Sequence, residues 1–176
     1  MAADISGKVY DFYDGQFDLV HKLIRCVGDP DNRFTEDPLR ILRAMRFESK
    51  LGFLIERNTE DAMRKHRHLL QYISKERISS ELTGILMGDC HSTLACFPDV
   101  LSVCIPEIKP CIGFQQNNPH HNMTVFDHII FSVSIAPKDL YTRLALLYHD
   151  IGKPLCYSFE DGVGHFYGHA AISKDI

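Results

Sequence analysis

The spacing of apolar residues along the chain predicts a mainly α protein with a short β segment near its N-terminus. Residues 8–13 are predicted as a short strand ending at the turn Asp14-Gly15, and residues 17–27 form a mixed segment that could pair with it. From residue 37 onward, apolar residues recur at helical spacing. Predicted helices lie at residues 38–51, 60–72, 75–87, 124–135 and 140–148, with one or two further turns at 92–97.

The predicted helix at 38–51 begins with an unusual pair of side chains. Asp37 is a good N-cap, Pro38 fits the first helical position, and Gly52 can end the helix in the left-handed conformation. Asp37 and Arg40 then lie on one helix face. A carboxylate accepts hydrogen bonds and a guanidinium donates them, so together they match the base edge of cytosine or adenine. A helix cap with a surface ion pair explains the same spacing, and spacing alone leaves both interpretations open.

Composition limits the possible classes of protein. The chain has 176 residues, of which 45% are hydrophobic, so one large or two small domains are possible. No apolar run approaches about 18 residues, and the first residues do not resemble a secretory signal, so neither a membrane span nor secretion is expected. Six scattered cysteines without a C-x-x-C spacing indicate reduced thiols in the cytoplasm.

The charge is distributed unevenly between the two halves of the chain. The net charge is −4, which argues against a general polyanion-binding protein. Residues 1–80 contain 14 lysines and arginines against 13 aspartates and glutamates, whereas residues 81–176 contain 5 against 10. Any contact with RNA is therefore expected to use the first half, and the acidic second half suits metal ions better.

Residues 9–53 and 76–82 carry an ordered series of motifs. They are Asp14-Gly15 with Asp18-Leu19, Ile24-Arg25, Val27-Gly28-Asp29-Pro30, Arg33-Phe34, Glu36-Asp37-Pro38-Leu39-Arg40, Arg46-Phe47 and Glu76-Arg77-Ile78-Ser79-Ser80-Glu81-Leu82. This series resembles the end of the catalytic head and the neck of bacterial class II tRNA nucleotidyltransferases, which include the CCA-adding enzymes and poly(A) polymerases.

The resemblance implies a reaction and a set of ligands. CMP and AMP would be transferred from CTP and ATP to the 3′ end of tRNA, with Mg²⁺ as the metal and no DNA or membrane partner. By position, Asp37 and Arg40 would template the incoming base. Arg43 and Arg46 recur at three-residue spacing and could face the triphosphate or RNA, or form a solvated basic face. Whether the activity is CCA addition, partial CCA addition or poly(A) addition is not determined by these motifs.

One part of the family pattern is missing from this sequence. The family places metal-binding carboxylates, a Gly-Ser loop and an Arg-Arg-Asp segment before the region that matches here, and no DxD occurs in the N-terminal stretch before residue 9. Because phosphoryl-type transfer depends on metal-borne charge stabilisation, the polypeptide is expected to be a fragment that does not itself add nucleotides.

A second group of residues points to metal chemistry. Six of the ten histidines lie between residues 120 and 169, and histidine and aspartate are natural ligands of divalent cations. His149-Asp150 would stand at the final turn of the helix at 140–148, with the segment LALLYHDIGK around it, and the segment HFYGHAAIS follows. These segments resemble the HD-domain family of metal-dependent phosphohydrolases.

The HD resemblance implies several ligands for a divalent Mg, Mn, Ni or Co ion. His128, His149 and Asp150 would bind the metal, and His165 and His169 would bind a second metal or a phosphate. The adjacent residues His120 and His121 could line the mouth of this metal site, and Lys153 could offset phosphate charge. Surface histidines and a helix-capping lysine are the alternative interpretation. The family supplies a further aspartate from a later helix, so the site is expected to be one ligand short.

Together, the two resemblances predict four segments: residues 1–35 as the end of the head, 36–100 as the helical neck, 101–118 as a linker, and 119–176 as an all-helical, C-terminally truncated HD domain. Three functions remain open. They are a fragment of a CCA-adding enzyme, a phosphohydrolase acting on phosphomonoesters or 2′,3′-cyclic phosphates, and a non-catalytic helical module that binds RNA or a partner. The oligomeric state is not predicted.

Overall fold

The computed structural model describes residues 2–119 and 122–176, which form mostly short helices. The α-helices are α1 (Gly15–Val20), α2 (Pro30–Glu36), α3 (Leu39–Leu51), α4 (Arg57–His66), α5 (Lys75–Leu86), α6 (His91–Cys96), α7 (Pro98–Cys104), α8 (Val125–Ile135), α9 (Leu140–Tyr148) and α10 (His169–Asp175). Short 3-10 helices span Arg67–Tyr72, Pro106–Cys111 and Lys153–Leu155. The predicted mainly α fold class is confirmed.

The strands of the described residues form three small pairs. β1 (Ala2–Ala3) and β2 (Val9–Tyr10) are antiparallel, β3 (Leu23–Ile24) and β4 (Leu54–Ile55) are parallel, and β5 (Ser158–Glu160) and β6 (Val163–His165) are antiparallel. The predicted pairing of residues 17–27 with the first strand is wrong. The carboxylate of Asp11 accepts from the backbone N–H groups of Gly15 and Gln16, which starts a helix where a paired strand was expected.

α3 ends as predicted and begins at Leu39, one residue after the predicted start. Asp37 Oδ1 accepts from the N–H of Leu39 at 3.2 Å, and Gly52 ends the helix with a φ of 66°. The next helix differs at both ends. It is capped by Glu56, whose carboxylate accepts from the N–H of Thr59 at 2.9 Å, and its predicted last turns continue as a 3-10 helix.

One hydrophobic core extends from α2 to the segment after α9. Ile41, Leu42 and Met45 of α3 are fully buried in it, as is Ile129 of α8. The predicted linker at 101–118 also contributes four buried residues to this core: Leu101, Ile105, Ile108 and Cys111. The division into head, neck, linker and HD domain stays a prediction.

The side chain of Arg143 joins two parts of the chain. It is 3% exposed and donates to four backbone carbonyls. The acceptors lie at the end of α5 and between α8 and α9: Leu86, Gly88, Ala136 and Pro137. Because these carbonyls share one buried guanidinium, it fixes the end of α5 against the loop that precedes α9.

The segment predicted as an all-helical HD domain contains a β-hairpin, which corrects that detail. Its turn is Asp161-Gly162, with φ values of 50° and 80°. A two-residue type I′ turn, whose twist matches that of the flanking strands, requires a positive φ at both central residues. The sequence Asp-Gly adopts this conformation readily.

None of the helices in the described residues is long and apolar enough to cross a membrane.

Candidate functional site

Asp37 and Arg40 lie at the start of α3, where each has a different ionic partner. The Asp37 carboxylate is paired with Arg77 of α5, whose Nη2 lies 3.2 Å from Oδ2. Arg40 Nη1 donates to Glu36 at 2.8 Å and to the carbonyl of Arg33 at 2.8 Å. Because α2 ends directly before α3, Glu36 can reach Arg40 one turn later. The helix cap is therefore present, while the ion pair weighed for Asp37 and Arg40 is replaced by these two pairs.

A cavity of about 340 Å³ opens along α3, which lines it from Arg40 to Phe47. Four arginines contribute to its lining: Arg25, Arg33, Arg40 and Arg43. Glu36 balances part of this charge, since Arg40 and Arg33 hold the pKa of its carboxyl below the usual value. A concentration of guanidinium groups suits an anionic ligand such as a phosphate, so we call this space the arginine-lined cavity.

The two further arginines predicted to bind nucleotide lie in different surroundings. Arg43 lines the cavity, whereas Arg46 is packed between α3 and α5. Arg46 Nε donates to Glu81 at 2.6 Å, and its side chain is 20% exposed. Its guanidinium also lies 4.5 Å from the centre of the Phe47 ring. These contacts explain Arg46 as part of a helix–helix interface.

The second candidate site brings His128 of α8 together with His149 and Asp150, which directly follow α9. His149 Nε2 lies 3.4 Å from His128 Nε2 and 3.2 Å from Asp150 Oδ2, and His128 Nε2 lies 3.4 Å from the same oxygen. The Asp150 side chain is 4% exposed. We call these three residues the His-Asp group.

The geometry of the His-Asp group fits a divalent cation. His149 Nδ1 lies 2.6 Å from the carbonyl of Leu146, so a proton on Nδ1 leaves the lone pair of Nε2 facing Asp150. Ligand atoms about 2.0–2.1 Å from a tetrahedral ion lie about 3.3 Å apart, close to the distances seen here. The three residues can therefore hold such an ion with little rearrangement.

Of the other predicted ligands, His169 approaches the group and His165 does not join it. His169 Nε2 lies 3.4 Å from Asp150 Oδ1, and its Nδ1 lies 2.8 Å from the carbonyl of Phe166. The ring of His165 instead stacks on Tyr167, whose hydroxyl lies 3.2 Å from its Nδ1. The suggested mouth residues, His120 and His121, lie outside the described residues.

The electrostatics of the group are dominated by its buried carboxylate. Burial acts to raise the pKa of Asp150, but hydrogen bonds with His149 and Lys153 outweigh it and hold that pKa well below its usual value. Burial acts to lower the pKa of His149. The hydrogen bond to the adjacent Asp150 and the negative charge of that residue raise it by more, so the pKa of His149 lies above its ordinary value of 6.5. Both shifts favour ionised groups facing each other.

Sequence reasoning missed the environment of Lys153. This side chain is 6% exposed, and its Nζ lies 2.8 Å from Asp150 Oδ2 and 3.0 Å from Gln116 Oε1. Gln116 is itself 1% exposed. Two adjacent glutamines in a polar, proline-bounded segment give no signal that one of them, Gln116, will be buried against a lysine 37 residues away.

Sequence comparisons find relatives among CCA-adding enzymes. The family model described as "Probable RNA and SrmB- binding site of polymerase A" matches residues 52–94. The chain is 41% identical over 116 residues to the CCA-adding enzyme of Bacillus velezensis, covering 66% of this chain and 29% of that enzyme. It is 47% identical over 88 residues to the CCA-adding enzyme of Bacillus subtilis (strain 168), covering 50% and 22%. The chain thus spans less than a third of these relatives.

Solved structures share the fold. The Bacillus stearothermophilus CCA-adding enzyme in complex with CTP gives a TM-score of 0.54 at 24% identity, over 82% of this chain and 42% of that one. A tRNA nucleotidyltransferase complexed with a primer tRNA and an incoming ATP analog gives 0.52 at 24% identity, over 74% and 43%. The sequence and fold comparisons agree, and the chain is related to a part of the class II tRNA nucleotidyltransferases, as its motifs predicted.

Proposed function

We propose that this chain takes part in CCA addition, in which CMP and AMP from CTP and ATP are transferred to the 3′ end of tRNA. The observation that carries the proposal is that Arg40, three residues after Asp37, lines the arginine-lined cavity in a chain related to CCA-adding enzymes. Solved relatives in complexes with CTP, or with tRNA and an ATP analog, support these ligands.

In this proposal, the base is read by side chains at the start of α3. The Asp37 carboxylate accepts from the exocyclic amino group of cytosine or adenine, and Arg40 donates to the adjacent ring nitrogen. Both side chains must first exchange their present partners, and they are 28% and 29% exposed. Partly exposed ion pairs contribute only about 0.2–1 kcal/mol, so a bound base can replace them.

The phosphates and the RNA use neighbouring surfaces. Arg25, Arg33 and Arg43 of the cavity face the triphosphate, while the RNA-binding family match at 52–94 supports contact of tRNA with α4 and α5. The transfer step requires divalent cations, for which the resemblance implies Mg²⁺. Within the described residues, the His-Asp group is the one cluster of three or more potential metal ligands. We therefore assign no described residue as catalytic for nucleotidyl transfer.

Calorimetric titration with CTP and ATP tests the base-reading proposal. We expect Asp37→Ala with Arg40→Ala to weaken binding by about tenfold, because two hydrogen bonds to the base are lost. Arg57→Ala is the matched control, since it removes an 84% exposed arginine of α4. Unchanged CTP and ATP affinity in the double variant would disprove the proposal. Tight tRNA binding without nucleotide binding would favour the non-catalytic RNA-binding module instead.

A second candidate function is hydrolysis of phosphomonoesters or 2′,3′-cyclic phosphates, which the His-Asp group favours. A divalent Mg, Mn, Ni or Co ion, when bound, would lower the pKa of a coordinated water and polarise a phosphoryl oxygen. His128, His149 and Asp150 would hold it, and His169, which faces the other oxygen of Asp150, would bind a second metal or a phosphate. The ammonium of Lys153 would balance phosphate charge.

Metal analysis of the purified chain tests this second function. We expect bound divalent metal and phosphatase activity with added nickel, cobalt, magnesium or manganese. Absence of both metal and activity would contradict the assignment. The control is His165→Asn, because His165 lies against Tyr167 rather than in the His-Asp group.

A further inference from the structure

The buried ammonium of Lys153 contacts the carboxylate oxygen that the metal would use. Asp150 Oδ2 accepts from Lys153 Nζ at 2.8 Å and is the same oxygen that lies 3.2 Å from His149 Nε2. A divalent ion within the His-Asp group and the ammonium must therefore share one oxygen. Since both are cations, the position of the ammonium affects how favourably the ion can bind.

Gln116 offers this ammonium its second acceptor. Its Oε1 lies 3.0 Å from Lys153 Nζ, and its Nε2 donates to the carbonyl of Met123 at 3.1 Å. The second hydrogen bond fixes which end of the amide faces the lysine, because only the NH₂ end can donate. The ring of Phe166 closes another side, with its centre 5.3 Å from Nζ.

The backbone around Gln116 is held by strand β6. The N–H of Gly164 donates to the carbonyl of Asn117 at 2.7 Å, and the side-chain amide of Asn118 donates to the carbonyl of Gly164 at 3.1 Å. A Cβ at residue 164 would overlap with the carbonyl oxygen of Gln116, so glycine permits this close approach. The position of Gln116 is thus set by the hairpin as well as by its own amide.

We propose that Gln116 is a positioning residue that draws the ammonium of Lys153 away from Asp150, and thereby sets the affinity of the His-Asp group for a divalent cation. The inference rests on the metal site proposed above. A buried ammonium needs hydrogen-bond acceptors, and here its hydrogen bonds are shared between Asp150 and Gln116. Without Gln116 Oε1, the Asp150 carboxylate is the one hydrogen-bond acceptor left among those described for the ammonium, which then opposes metal binding more strongly.

Cobalt(II) titration of the whole chain, followed by absorption and calorimetry, tests the inference. We expect Gln116→Met to weaken cobalt binding by about tenfold, and Gln116→Glu, which keeps an acceptor for Lys153, to bind cobalt at least as tightly as the unaltered chain. In chains that also carry Lys153→Met, we expect Gln116→Met to alter the affinity by less than about twofold, as a double-mutant cycle requires.

The outcomes separate this inference from the metal site on which it rests. Equal cobalt affinity of Gln116→Met and the unaltered chain would overturn the inference alone, as would equal weakening with and without Lys153. Failure of the unaltered chain to bind cobalt would overturn the metal site and the inference together. If Gln116→Met does not fold, as judged by circular dichroism, the inference is tested with Gln116→Glu in the chain with Lys153 and in the chain with Lys153→Met. Weakening by Gln116→Glu that persists with Lys153→Met would indicate a merely structural role.

Discussion

The two candidate sites differ in what holds their charged groups. At the start of α3, Asp37 and Arg40 are paired with side chains that are themselves about half exposed, Arg77 at 52% and Glu36 at 53%. In the His-Asp group, the Asp150 side chain is 4% exposed, and the ring of His149 contacts a backbone carbonyl. The base-reading side chains can therefore change partners at small cost, whereas the His-Asp group is arranged before any ion binds.

Both sites belong to one folded unit, which Arg143 holds together. Replacing Arg143 should therefore have the largest effect of the changes considered. We expect Arg143→Met to lower the free energy of unfolding by about 3 kcal/mol, because several buried carbonyls lose their donor. Urea unfolding measures this change. Arg57→Met is the control and should change stability by less than about 0.5 kcal/mol, since Arg57 is 84% exposed. Equal effects of the two changes would refute the role of Arg143.

A change within the His-Asp group should affect one site only. We expect Asp150→Asn to weaken cobalt binding by about 100-fold, because the one anionic ligand is lost, and to leave CTP affinity unchanged. Calorimetric titrations with cobalt and with CTP measure both. Asp175→Asn is a matched control on α10, where the aspartate is exposed. Loss of CTP binding in Asp150→Asn would show that the two sites are coupled.

The pH dependence of metal binding gives a sharper test of how the group is arranged. Because the pKa of His149 lies above 6.5 and a metal needs the neutral ring, cobalt affinity should fall by about tenfold per pH unit below that pKa. Without metal, the same shift stabilises the fold fully below pH 6.5, and this contribution is lost as pH rises through the folded pKa. Affinity and stability should thus change in opposite directions.

Cobalt titrations and urea unfolding over the same pH series measure the two slopes. The His149→Gln variant supplies the control, because it lacks the titrating ring and should lose both contributions. A metal affinity that stays flat through this pH range would show that His149 is not a ligand.

The smallest predicted effects distinguish two neighbouring arginines of α3. Arg46→Met should lower the free energy of unfolding by about 1 kcal/mol, because the bond to Glu81 at the α3–α5 interface is lost, and should leave CTP affinity unchanged. Arg43→Met should do the reverse, weakening CTP binding by about threefold with little change in stability. Urea unfolding and calorimetry separate the two. A stronger loss of CTP binding from Arg46→Met would restore Arg46 as a nucleotide contact.

Local signals in the sequence predicted the parts of the structure that depend on local contacts. Asp37 and Gly52 mark the ends of α3, because capping needs only the residues beside a helix end. His149-Asp150 follows α9 directly, as the apolar helix before it predicted. The hairpin was missed although its Asp161-Gly162 turn gave a usable signal between short strands.

Contacts between distant parts of the chain could not be predicted from spacing. Arg77 pairs with Asp37 across 40 residues, and Gln116 contacts Lys153 across 37. Both pairs arise because packed elements bring them together, which depends on the whole core and not on a local motif. For the same reason, sequence spacing could not separate Arg43, at the cavity, from Arg46, at the helix interface.

The parallel pairing of β3 with β4 has a consequence for hydrogen exchange. The N–H groups of Leu54 and Glu56 donate to the carbonyls of Lys22 and Ile24 at 2.9 and 3.0 Å, so two bonds close a loop that contains α2 and α3. These two amide protons should exchange with deuterium together, since neither bond can open far without the other. Their shared rate would report how often the segment carrying Asp37 and Arg40 loosens from the remainder of the chain.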